Sequence, residues 1–278
     1  MNSLIERVLP KSLRLFVKIV HAKINFRELP RFIRFYDDSG SVLQCCIAYN
    51  KYGGFCIPLS SYHRPAAQKI LSGDIYEPKT IEFLISHGRD GDIVHAGTYF
   101  GDFLPALSQS RMHDAKVWAF EPNPENYRCA LITCLINGLQ KVELINAALS
   151  ERRGTLTMVK SDVSGRALGG GSKILKQNNE ISSEREETVQ VQAVTIDETI
   201  PMDRKVSVIQ LDVEGYEKQA LSGALKTIQR CLPIIVLETL PEDNWLAKNI
   251  LCHGYQVSQK IYRNTVLIHE RVAKLATT

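Results

Sequence analysis

The sequence predicts a doubly wound, Rossmann-like α/β domain, and three observations carry that prediction. Short apolar runs recur at Ile93 to Ala96, Val117 to Phe120, Val206 to Leu211 and Pro233 to Leu237, lengths that suit strands buried on both faces. Helix-compatible segments alternate with these runs, which is the order of a parallel sheet joined by crossover helices. Acidic residues follow them at Glu121, Asp212 and Glu238, the strand ends at which open α/β sheets place their ligands.

The chain has 278 residues with 44% hydrophobic content, enough to bury one large domain with an appendage. We place the extension at 1–73 and the main domain at 74–278. Net charge is +4, yet residues 1–40 hold eight Lys/Arg against four Asp/Glu, so the basicity is local. A balanced body argues against nucleic acid, which would need a basic stripe on the folded domain. The seven cysteines are odd in number and include no C-x-x-C pair, a pattern of reduced thiols in a cytoplasmic protein. Apolar runs fall short of the roughly 18 residues of a membrane span, and Glu6, Arg7, Lys11, Arg14 and Lys18 interrupt any signal-peptide core.

Between Lys11 and Ile24, apolar residues at helical spacing alternate with Lys11, Arg14, Lys18 and Lys23. This predicts a basic amphipathic helix, which suits an anionic membrane surface, a second subunit or its own domain. Residues 41–58 read as a β-hairpin turning at Asn50 to Gly54, a preface to the main sheet. Asp74 to His87 reads as a helix with Pro78 in its first turn.

Ile93 to Ala96 is the first core strand, and its turn carries Gly97 and Gly101. A G-x-x-x-G turn lets the backbone approach a ligand but lacks the third glycine that seats a pyrophosphate on a helix N-terminus. Glu121, ending the next strand, can accept both hydroxyls of a ribose. Together they favour S-adenosylmethionine over a dinucleotide. Asn123 caps the following helix, with Tyr127, Ala130, Leu131, Cys134 and Leu135 as its apolar stripe. Val142 to Asn146 is the third strand; Asn146 and Ala147 begin the stretch where adenine would lie, and small residues there leave room for a flat ring.

Thr155 to Val159 and Thr188 to Val194 are strands flanking a polar insertion that contains SGRALGGGSKI. This is a flexible surface loop or a substrate lid, with Arg166 and Lys173 available to an acidic acceptor. Val206 to Leu211 is a buried strand ending at Asp212, followed by a helix from Glu217 to Arg230. Another strand ends at Glu238, a helix spans Glu242 to His253, and Tyr255 to His269 forms a hairpin. That hairpin puts one antiparallel strand into an otherwise parallel sheet.

The motifs LDVEGYEKQALSGA, VWAFEPNPENY, NAALSE and VQAVTIDE together resemble the FkbM family of S-adenosylmethionine-dependent methyltransferases, over roughly residues 74–242. The resemblance implies a seven-stranded methyltransferase sheet and, for many members, O-methylation of a sugar or polyketide hydroxyl; the acceptor expected here is a sugar, glycan or glycolipid hydroxyl. It places the cofactor turn on His95, Gly97, Thr98 and Gly101, the ribose acid on Glu121, and an acidic strand-end motif on Asp212, Glu214 and Gly215. The turn departs from the family's D-x-G-A-N-x-G, since His95, Thr98 and Tyr99 replace Asp, Ala and Asn. His95 then either bonds the cofactor's carboxylate or is a satisfied core histidine.

Methyl transfer needs a hydroxyl to lose its proton, so Asp212 is the expected base with Glu238 as helper. The same pair is a sparse ligand set for Mg²⁺. Two alternatives stand beside this reading: an NAD-dependent oxidoreductase, and a non-catalytic binding protein of the same fold. The expected partners are a small-molecule or glycan acceptor and a second copy of the chain.

Overall fold

The computed structural model describes residues 42–88, 90–175 and 185–275. The basic helix expected at Lys11 to Ile24 lies outside the described residues. No helix among those described is long and apolar enough to cross a membrane.

Seven strands form the central sheet. In chain order they are β3 (Asp92–Ala96), β4 (Val117–Phe120), β5 (Val142–Ile145), β10 (Val206–Leu211), β11 (Ile234–Leu237), β12 (Tyr255–Ile261) and β13 (Asn264–His269). Their spatial order is β12-β13-β11-β10-β3-β4-β5. The pairings from β5 to β11 are parallel, while β13 runs antiparallel to both β11 and β12. One reversed strand therefore creates two antiparallel ladders, as the predicted closing hairpin requires; only Tyr262 and Arg263 connect β12 to β13. Four central strands are almost wholly apolar because helices cover both faces; Ile93 and Val208 pack into one core, Val94 and Ile209 into the other.

The N-terminal hairpin, β1 (Cys45–Asn50) with β2 (Gly53–Pro58), forms its own two-stranded sheet. It docks on helix α4 (Pro124–Ile136) instead of extending the main sheet. Cys56 N donates to Thr133 Oγ1 at 3.0 Å and Gly54 N to Asn137 Oδ1 at 3.0 Å. Sandwiched this way, α4 buries Asn126, Cys129, Ala130, Thr133 and Cys134, so its inner face is rotated from the predicted stripe. Asn123 caps it as expected, accepting from Glu125 N and Asn126 N. Helices α1 (Pro65–Leu71), α2 (Pro78–His87) and α3 (Leu104–Gln109) complete this side.

A second sheet orders β6 (Ala148–Leu149), β9 (Thr188–Val194), β7 (Gly154–Val159) and β8 (Lys173–Ile174) side by side. The single helix expected after Asp212 is two, α6 (Glu217–Ser222) and α7 (Leu225–Cys231), after the short α5 (Ile196–Thr199). Asp197 causes the break: its N–H donates to Gly223 O, and its carboxylate accepts from Lys226 N and Thr227 N at the start of α7. The next predicted helix is also shorter, α8 (Asp243–Asn249), followed by a 3-10 turn at Leu251–His253.

Candidate active site

The C-terminal ends of β3, β4, β10 and β11 converge on one crevice. After β3 the backbone turns so that Gly97 N and Thr98 N both reach Phe120 O, at 3.2 and 3.4 Å. Gly97 has φ +85°, and a Cβ there would stand 1.9 Å from Asp212 O. No other residue fits without moving β10. Tyr99 follows in a left-handed conformation, φ 52°, costing roughly 1–3 kcal/mol of strain that the surroundings must hold.

What holds it is Glu121. One carboxylate oxygen accepts from Tyr99 N at 2.7 Å and the other from Asn123 N at 2.8 Å. The side chain is 4% exposed, and burial pushes its carboxyl up to about 8, against the opposing pull of those N–H groups. Asn146 is exposed and its Nδ2 donates to Glu121 O at 2.8 Å, fastening the end of β4.

Two cavities adjoin in the crevice. The smaller, of about 30 Å³, has apolar walls from Phe120, Ala147, Leu149, Met158 and Ile174, with Glu121 as its carboxylate apart from Asp212. The larger, of about 140 Å³, gathers Glu77, Asp102, Asp212, Glu214 and Glu238, with Arg64, Arg263 and His95. Gly97, Gly170 and Asp212 line both. Burial raises the carboxyls of Asp102, to about 7, and Asp212, which is pushed well up by burial and then by Glu238. Glu214 is also raised, by burial and Glu238, with Arg64 and Lys173 opposing.

The predicted site residues divide among these compartments. Glu121 and Ala147 line the small cavity, Glu238 and His95 the large one, and Gly97 and Asp212 both. Thr98 is fully buried with its Oγ1 donating to His95 O, and Gly101 packs against α4. These two and Asn146 shape the turn and line neither cavity. His95 is buried, stacked on Phe103, with Nδ1–H donating to Gln210 Oε1. Burial lowers its imidazole to about 4, so it stays neutral with a lone pair on Nε2.

The glycine-rich insertion is packed over the crevice where it is described. Asn126 Nδ2 donates to Gly169 O and Asn123 Nδ2 to Ser172 Oγ, both at 3.1 Å. Gly169 is buried at φ +57°, and a Cβ there would fall 2.7 Å from Ser61 Cβ and 2.8 Å from Tyr99 Oη. The triple glycine is thus the point where a loop presses on the site. Arg166 and Lys173 are exposed and line neither cavity.

Sequence reasoning missed Glu77, Asp102, Arg64 and Arg263 as cavity residues. Asp102, directly after Gly101, had a local signal; Arg64 and Arg263 sit on connections whose docking no spacing foretells.

The profile of the family described as Methyltransferase FkbM domain matches residues 95–255, more than half of the chain. Among solved structures, an FkbM methyltransferase from Methylobacillus flagellatus is 17% identical with a TM-score of 0.45, over 65% of this chain and 44% of its own. The chain therefore spans less than half the length of that relative. A SAM-dependent methyltransferase from Aquifex aeolicus is 13% identical, TM-score 0.39, covering 74% and 92%. A Pyrococcus abyssi tRNA (uracil-54, C5)-methyltransferase in complex with S-adenosyl-L-homocysteine is 12% identical, TM-score 0.39, covering 81% and 42%. No curated protein sequence matches.

Proposed function

Because the chain belongs to the FkbM methyltransferase family, we propose that it methylates a hydroxyl of a sugar, glycan or glycolipid, with S-adenosylmethionine in the small cavity and the acceptor in the large one. The observation that carries this reading is the junction: two cavities of opposite character meet at Gly97, Gly170 and Asp212. When bound, S-adenosylmethionine supplies an electrophilic methyl group on a sulfonium. Glu121 would accept its ribose hydroxyls, Ala147 and the apolar walls would face its adenine, and Gly97 would let the backbone pass alongside.

The donor set fits such a group, but a cavity of about 30 Å³ has room for little more than a water. Gly169 to Ile174 must therefore withdraw as a nucleoside enters. Gly169 and Ser172 are held by the side chains of Asn126 and Asn123, and Lys173–Ile174 by its pairing as β8 with β7.

On the acceptor side, carboxylates dominate. Each offers hydrogen-bond acceptors to hydroxyls, which suits a polyol and repels a polyanion. Asp212 stands at the junction and takes the hydroxyl proton. Once ionised, this carboxyl, raised by burial and by the neighbouring Glu238, is a stronger base than an exposed aspartate. The family excludes the nicotinamide-dependent alternative by its chemistry. All seven cysteines are free thiols, which supports a cytoplasmic setting.

The test is incubation of the purified chain with methyl-labelled S-adenosylmethionine and cell extract, followed by analysis of the labelled product. Label on a carbohydrate oxygen is the expected result. Label on nitrogen or on nucleic acid would refute the acceptor class, and cofactor binding without any transfer would leave a binding protein of methyltransferase fold.

A further inference from the structure

The larger cavity holds three convergent carboxylates that no cation contacts directly, although Arg64 and Lys173 pull on Glu214 from beyond ion-pair distance. One oxygen each from Asp212, Glu214 and Glu238 lies within 4.8 Å of the other two. Among the described residues, no Lys, Arg or His forms an ion pair with any of them. Elsewhere the chain provides for the carboxylates it buries. Asp92 meets Arg204, Lys116 N and Trp118 Nε1; Glu121 takes two backbone N–H groups; Glu217 accepts from Val213 N.

His95 supplies an independent sign of a ligand in the same cavity. It is 3% exposed, its Nδ1–H is committed to Gln210, and its Nε2 has no partner among the described residues. A buried lone pair without a donor is unfavourable. A water or hydroxyl held in this cavity would donate to it.

We propose that Asp212, Glu214 and Glu238 form a divalent-cation site, with a water or the acceptor hydroxyl on the cation donating to His95 Nε2. Oxygens opposite one another around Mg²⁺ are roughly 4.2 Å apart, and around Ca²⁺ roughly 4.6–5.2 Å. A spread of up to 4.8 Å is thus compatible with either ion after side-chain adjustment alone. Three carboxylate oxygens completed by waters and substrate suit Mg²⁺ or Mn²⁺ best. The inference rests on the larger cavity being the acceptor site, where the cation orients the hydroxyl and lowers its pKa.

The test is Mn²⁺ titration of the full chain without cofactor, followed by electron paramagnetic resonance of free Mn²⁺, with Mg²⁺ as competitor. S-adenosylhomocysteine is titrated in parallel by calorimetry. One Mn²⁺ per chain is expected, displaced by Mg²⁺ and weakened at least roughly tenfold in Glu214→Gln and Glu238→Gln. Glu214 is exposed, so its variant folds even if the other does not. Mn²⁺ left free by the folded wild type, or bound equally by both variants, overturns the site. If S-adenosylhomocysteine still binds in that case, the cation site alone fails; Mn²⁺ bound without S-adenosylhomocysteine overturns the donor site instead.

Discussion

Replacing Glu121 tests the donor compartment at its one buried ionisable group outside the junction. The carboxylate accepts from Tyr99 N and Asn123 N at 2.7 and 2.8 Å. Truncation to alanine would orphan both donors, at about 1–3 kcal/mol each, and confuse folding with binding. Glu121→Gln keeps one acceptor and the shape. Losing a charge-assisted bond from the ribose should cost roughly 1.5–3 kcal/mol, a weakening of about ten- to 150-fold. The wild type should also show a pH signature. Its carboxyl, ordinarily at 4.5, is pushed up to about 8, so it is protonated at neutral pH in the free chain. A ribose hydroxyl donates to the ionised form, so affinity for S-adenosylhomocysteine should rise with pH, by at most about tenfold per unit, and level off above about 8. Stability runs the other way. The native state holds the proton more tightly, so this stabilisation is complete below about 4.5 and is lost as pH rises through about 8. Calorimetric titration between about pH 6 and 9, paired with thermal melts, reads both trends, and Glu121→Gln should flatten each. A pH-independent wild type, or a folded variant of unchanged affinity, would refute the reasoning.

Asp212→Asn should retain S-adenosylhomocysteine binding and lose at least roughly a hundredfold in transfer rate; an unchanged turnover number removes Asp212 from the chemistry. Gly97→Ala places a Cβ 1.9 Å from Asp212 O at φ +85° and should cost roughly 2–4 kcal/mol of stability, seen as a lowered urea midpoint. Arg204→Ala strips Asp92 of its bidentate partner at the opposite end of the sheet. Chemical denaturation should record a loss of roughly 2–4 kcal/mol, softened by Lys116 N and Trp118 Nε1, while cofactor affinity in the folded fraction stays unchanged.

The central strands were legible because they are short, largely apolar runs buried on both faces, and the closing hairpin because the short Tyr262–Arg263 link forces a reversal. Glu121, Asp212 and Glu238 were legible for a related reason: strand ends put successive carboxylates on one edge, whatever the helices do. His95 was half legible. Its partner Gln210 depends on the β3–β10 register, which pairs those two residues and which no local pattern states. The hairpin's position on α4 escaped, since it turns on Thr133 and Asn137 bonding the backbone of β2. The cover escaped too. Three glycines read as looseness in sequence, whereas here they mark contact with Tyr99, Ser61 and Arg64.

The central claim is that two compartments, one for donor and one for acceptor, meet at Gly97 and Asp212. A crystal structure of the chain with S-adenosylhomocysteine tests it most directly. The account predicts ribose oxygens on Glu121, adenine beside Ala147, the sulfur facing the junction, and Gly169 to Ile174 displaced from its place over the crevice. Ligand bound elsewhere, or bound with its sulfur turned away from Asp212, would contradict it.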